Sequence, residues 1–168
     1  MKLAVLERTF SPELAAPITD DNWMQVNHTL DGCLAVRQVQ WLHSLVSVNG
    51  DRSACLFQVP DAETLREACC EARMPWQRVW QAELWVEDPS SFPQGCFLVI
   101  AVVNYDPPMT KTRYEFSKQQ AEGCFQEFKI QPAFTAVSLD GTHSICAFSA
   151  TSAEDVRSLC RKMGQPFQ

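Results

Sequence analysis

The chain has 168 residues, with 14 Lys and Arg against 20 Asp and Glu for a formal charge of −6; 46% of residues are hydrophobic and 20% charged. That balance fits one ordinary folded domain or two small ones and excludes a disordered tail, a collagen-like repeat and a highly charged coil. With no basic run and no basic amphipathic helix, it also lacks the cation density that nucleic acid or an anionic membrane surface requires.

The N-terminal apolar stretch is stopped by Glu7-Arg8, too early for a signal peptide. The most apolar run, Cys96 to Val103, is far short of the roughly 20 residues that span a bilayer. A cytoplasmic protein is expected. Leu3 to Phe10 reads as a strand bounded by Ser11-Pro12. Thr19-Asp20-Asp21-Asn22 supplies a helix cap, and Trp23, Val26, Leu30, Cys33 and Leu34 then recur at helical spacing. Trp41–Val48 and Arg52–Val59 are strands around Asn49-Gly50, predicted to turn with positive φ at both positions. Asp61-Ala62-Glu63 opens a second helix that ends at Met74-Pro75, and Gln77–Val86 is a last strand. The order βαββαβ is that of a ferredoxin-like unit, with two helices on one face of an antiparallel sheet.

The chain then repeats itself. Shifted by 91 positions, residues 28–77 lie on 119–168 without a gap and with 15 identities in 50 pairs, against about one in 16 for unrelated pairing. Gly32-Cys33 falls on Gly123-Cys124, Gly50 on Gly141, and Ser53, Cys55 and Phe57 on Ser144, Cys146 and Phe148. Upstream, Leu3–Phe10 is matched to Phe97–Asn104 with a three-residue slip in the following loop. The expected organisation is a first repeat over 1–87, a Pro- and Ser-rich linker over 88–95, and a second repeat over 96–168 that lacks its closing strand. Both sheets carry apolar residues on both faces, so they are expected to pack sheet to sheet as an intrachain pseudo-dimer resembling a dimeric α/β barrel. The second sheet then has an open edge at strand Phe97–Val103. It is predicted to take Val79–Val86 of the first unit, or to pair with a protein partner or a second copy.

Of the eight cysteines, six form three equivalent pairs, 33 with 124, 55 with 146 and 69 with 160, and no CxxC occurs. They read as reduced, buried small hydrophobes. No GxSxG, HExxH, GxGxxG or P-loop pattern is present.

Three stretches carry a family resemblance: Val39–Gly50, Cys55-Leu56-Phe57-Gln58-Val59-Pro60-Asp61-Ala62-Glu63, and Met74–Trp80. With the early strand Leu6-Glu7-Arg8-Thr9-Phe10, they resemble a small bacterial family of unknown function labelled nickel-responsive-protein-like. The resemblance covers residues 3–86 well and 97–168 more faintly. It implies a ferredoxin-like fold, pairing of two units into a barrel and, in one branch, nickel binding; this chain then looks like a fused double form.

None of the three histidines, His28, His43 and His143, is repeated between the halves. By alternation His43 shares a face with Trp41 and Leu45; with Glu7 or Arg8 of the first strand it forms a polar point, and His43 with Glu7 is the candidate site for nickel or another transition metal, since imidazole and carboxylate suit such ions. His28 and His143 are expected at the surface. Of Trp80 and Trp85, which have opposite parity on one strand, one should face away from the helices. The functional expectation is a small non-catalytic binding or regulatory protein, a transition-metal binder by resemblance. The alternatives are an interaction adaptor using the open edge and, by fold analogy, an enzyme using a barrel cavity.

Overall fold

The computed structural model describes residues 2–15, 17–86 and 98–165. The chain divides into two compact units, Met1–Ala82 and Glu83–Gln168. The expected linker, 88–95, lies outside the described residues.

The first unit runs β1 (Lys2–Thr9), α1 (Asp20–Ala35), β2 (Gln40–Val46), β3 (Arg52–Val59), α2 (Ala62–Glu71) and the first part of β4 (Arg78–Val86), a strand that continues past Ala82 into the second unit. Its sheet is antiparallel in the order β2-β3-β1-β4, the ferredoxin-like order. The helices start where the cap residues dictate. Thr19 accepts from Asn22 N–H while the Asn22 side chain returns to Thr19 N–H, and Asp61 Oδ1 accepts from Thr64 N–H at 2.8 Å. Each such cap is worth about 1 kcal/mol. The core between helices and sheet is built from Ala4, Leu6, Cys55 and Phe57 of the strands, Trp23, Leu30 and Leu34 of α1, and Leu65, Ala68 and Cys69 of α2.

The second unit runs β5 (Val99–Asn104), α3 (Lys111–Glu127), β6 (Gln131–Ser138), β7 (His143–Ser149) and α4 (Ala153–Lys162). Its strands are antiparallel in the order β6-β7-β5. Thr110 and Ser152 cap α3 and α4 at positions equivalent to Thr19 and Asp61. Val156, Leu159 and Cys160 of α4 pack with Ile130, Phe125 and Phe148. Among the described residues of the second unit β5 pairs with β7.

Register corrects two expectations. Leu6 lies opposite Cys55, and Ala101 opposite Cys146, the matching cysteine. Phe10 and Tyr105 donate to Asp51 and Thr142, and Leu14 and Met109 to Gly50 and Gly141. The first strands are therefore offset by 95 residues, not 94, and the loop after β5 is shorter by four residues, not three. In the hairpins, only Gly50 and Gly141 take positive φ, at 73° and 71°. Ser47 N–H bonds the Arg52 carbonyl at 3.0 Å, and Gly50 N–H bonds the Ser47 carbonyl at 2.9 Å. A wider loop ending in a left-handed glycine thus replaces the expected two-residue turn. A Cβ on Gly50 would meet the Leu14 carbonyl oxygen at 2.6 Å, so this position admits no side chain. No described helix is long and apolar enough to cross a membrane.

Candidate functional site

The second unit holds a cavity of about 100 Å³ between its sheet and its helices, lined mainly by apolar atoms. Ala101 and Val103 of β5 and Cys146 and Phe148 of β7 form its floor, and Tyr114, Ala121 and Phe125 of α3 its roof.

The cavity follows from substitutions at equivalent core positions. Where the first unit has Leu6, Arg8, Leu30 and Trp41, the second has Ala101, Val103, Ala121 and Pro132. Leu6, Arg8 and Leu30 are buried and fill the first core. Phe125 in place of Leu34 and Leu159 in place of Ala68 return only part of the lost volume. Helix α1 buries four of its 16 residues, Trp23, Asn27, Leu30 and Leu34, whereas α3 buries only Ala121 of its 17. The cavity therefore lies under a helix held by little apolar contact.

Its polar groups are few and mostly engaged. Tyr114 Oη donates to Thr135 Oγ1 at 3.1 Å, and Tyr105 Oη lies 3.0 Å from Ser144 Oγ. Burial pushes the Tyr105 hydroxyl and the Cys146 and Cys160 thiols above their ordinary pKa, so all three are neutral near pH 7. Lys118 also lines the cavity but is itself exposed. It stands where the first unit has Asn27, which is fully buried and accepts from Arg8 Nη1 at 2.6 Å.

The predicted site residues lie on the first sheet. Glu7 pairs with Ala54 and His43 with Leu56, so both belong to the sheet face away from the helices. The strand irregularity between Trp41 and His43 changes the alternation: Trp41 pairs with Phe57 on the helix side and packs on its ring at 5.1 Å. His43 thus shares a face with Leu45 but not with Trp41. Glu7 Oε1 accepts from Trp80 Nε1–H at 2.6 Å, making Trp80 the tryptophan that faces away from the helices. Arg8 points to the helix side and cannot join Glu7. Among the described residues no group of three or more His, Cys, Asp and Glu is placed to hold a metal ion.

His28 is exposed, its Nδ1 2.7 Å from the Gln25 carbonyl. His143, expected at the surface, is buried, its Nδ1 2.7 Å from Asn104 Oδ1. It sits opposite Asn104 on β5, a neighbour that its hairpin position alone did not disclose. The seven described cysteines are free thiols, four of them buried, and burial pushes Cys55 up to about 11 and Cys69 to about 12.

The cavity residues carry no chemical signature in the sequence; what marks them is side-chain volume. The signal existed: the gapless repeat already aligns Leu30 with Ala121 and Trp41 with Pro132.

Residues 5–81 match the family described as nickel responsive protein SCO4226-like, a match confined to the first unit. Among solved structures, the chain is similar to SCO4226 from Streptomyces coelicolor A3(2), at 14% identity over 46% of this chain and 90% of that one, with a TM-score of 0.37. It is also similar to a heme-binding protein from Thermus thermophilus, at 10% identity over 96% and 81% of the two chains, with a TM-score of 0.48. A third similar structure is protein BT0572 from Bacteroides thetaiotaomicron, at 8% identity over 99% and 90%, with a TM-score of 0.30. No curated protein is significantly similar to the chain.

Proposed function

We propose that this is a non-catalytic binding protein whose second unit takes a small apolar molecule into the cavity beneath α3. The observation that carries the reading is the contrast at equivalent positions: Leu6 and Leu30 are buried in the first core, and Ala101 and Ala121 line a cavity in the second. An apolar cavity of this kind leaves dispersion contacts unmade that a fitting apolar guest supplies. The test is titration of the full chain with toluene, followed by methyl and aromatic NMR shifts. Shifts at Ala101, Ala121 and Phe148 are expected, with those at Ala101 and Phe148 absent in Ala121→Leu. Unmoved resonances at those residues at saturating toluene would reject the reading.

The match over residues 5–81 favours a second reading, in which the first unit binds nickel or another transition metal through His43 and Glu7. Its support is that both residues lie on one sheet face. Stoichiometric nickel lost on His43→Ala is the expected result, and no nickel in the native protein by elemental analysis would reject it. In this reading the halves are copies of one module packed sheet to sheet in the cytoplasm, and β5 pairs with a partner or a second copy.

A further inference from the structure

We propose that the ligand of the second unit is a small aromatic monocarboxylate, its ring in the cavity and its carboxylate at the mouth on Lys118. This rests on the cavity reading above and adds the chemistry of the guest.

Three observations point to one ring. An apolar cavity of ~150 Å³ accommodates benzene in an engineered protein core. The cavity here is about 100 Å³, so a ring fits with a small outward shift of one wall. Helix α3, with Ala121 its single buried residue, is the wall able to give. The surroundings favour a π-system: Tyr105, Tyr114, Phe125 and Phe148 supply ring edges and faces, and Met109 and Met163 supply sulfur. Single aromatic contacts of these kinds are individually modest, and here they converge from several sides.

The charge is assigned by Lys118. Its equivalent in the first unit, Asn27, lies wholly within the core, so the lysine stem starts on the inward side of α3. The residue is exposed nonetheless, which is the behaviour of a side chain that lines apolar surface with its methylenes and carries its ammonium out to water. Among the described residues no ion pair joins a carboxylate to it, as for Lys111, Arg113 and Lys129, and it is the one cation among the described residues that line the cavity. An apolar interior with one uncompensated cation at its rim is complementary to a molecule with an apolar body and one terminal negative charge. Glu115 and Glu122, one turn away on either side along α3, oppose that charge and keep its contribution small.

The test titrates the full chain with benzoate, toluene and hexanoate at low salt, in the native protein, in Lys118→Met and in Ala121→Leu. Lys118→Met keeps an unbranched stem of helix-forming type and leaves the fold in place. Benzoate is expected to bind more tightly than hexanoate, and to weaken roughly two- to fivefold in Lys118→Met, the range of an exposed ion pair. Toluene, which carries no charge for Lys118 to meet, is expected to lose less affinity than benzoate in that variant, and both aromatic probes to be lost in Ala121→Leu. Benzoate affinity indifferent to Lys118→Met, or hexanoate binding the tighter, overturns the assignment of ligand class while toluene binding still upholds the cavity. Failure of every probe overturns both.

Discussion

The first and second units follow the same chain path through α1 and α3, with different consequences for their cores. In the first, Trp23 Nε1 donates to Ser44 Oγ at 3.1 Å; in the second, Tyr114 Oη donates to Thr135 Oγ1 at 3.1 Å. The tie from the first helix to the second strand of each unit is thus retained with different donors. What differs is the filling. Leu6, Leu30 and the Arg8–Asn27 pair occupy the first core, with the Arg8 guanidinium 4.6 Å from the Phe10 ring centroid. Ala101, Ala121, Val103 and Lys118 replace them in the second. The two units share a frame and differ in packing, which separates the residues that set the fold from those that set what its interior accepts.

Exchanging the filling residues tests this contrast most severely. Leu30→Ala places the second unit's residue in the fully buried site of the first and is expected to destabilise by about 2–5 kcal/mol, read from urea unfolding. The reverse exchange, Ala121→Leu, is expected to stabilise by about 0.5–2 kcal/mol as it fills the cavity. Equal and opposite changes are not expected, because the second site relaxes around a loosely held α3. If Ala121→Leu destabilises by more than about 1 kcal/mol, the second core is already tightly packed and the comparison fails.

A smaller effect separates the units by thiol reactivity. Cys69 and Cys160 are equivalent, as are Cys55 and Cys146, and all four are buried. Burial disfavours each thiolate, and Cys55 and Cys69 are pushed up to about 11 and 12. A folded pKa raised above the ordinary 9.0 contributes stability that is complete below that pH and is lost as pH rises toward 11 and 12. At about pH 8, labelling should modify the exposed Cys70 first and the half-buried Cys33 and Cys124 next, then Cys146 and Cys160 as α3 opens, and Cys55 and Cys69 only at the rate of global unfolding. Cys69 reacting as fast as Cys160 would show that α3 protects its core as well as α1 does.

Much of the fold was legible because its signals are local. Cap residues Thr19 and Asp61, the helical spacing after Trp23 and the alternation of Arg52–Val59 all lie within a few residues of what they specify. The side of the sheet taken by Trp41 was not legible, because one bulge reverses alternation and depends on pairing with β3. Nor was the burial of His143, which depends on Asn104, 39 residues away. The cavity was half legible: the helix positions align without a gap, but an offset of 94 instead of 95 along the first strands sets Leu6 against the wrong partner. One residue along a strand changes the face of the sheet, so that slip removed the floor of the site from view.

The hairpins provide the finest comparison. In the first, Ser47 Oγ donates to Asp51 Oδ1 at 2.7 Å; in the second, Ser138 Oγ donates to Asp140 Oδ1 at 2.6 Å, and Thr142 N–H and Oγ1–H donate to the same oxygen. The second carboxylate thus collects three donors and is held down to about 2, chiefly by Ser138. A depressed folded pKa contributes stability that is present above the ordinary carboxylate value of 3.8 and is lost as pH falls toward 2. Asp140 is largely solvated, so screening keeps its share below about 1 kcal/mol. The difference in unfolding free energy between the native chain and Asp140→Asn should therefore be constant above about pH 5 and shrink between about pH 4 and pH 2. A difference that does not change across that window would mean that the three donors stabilise the turn by geometry alone, with no preference for the charged carboxylate.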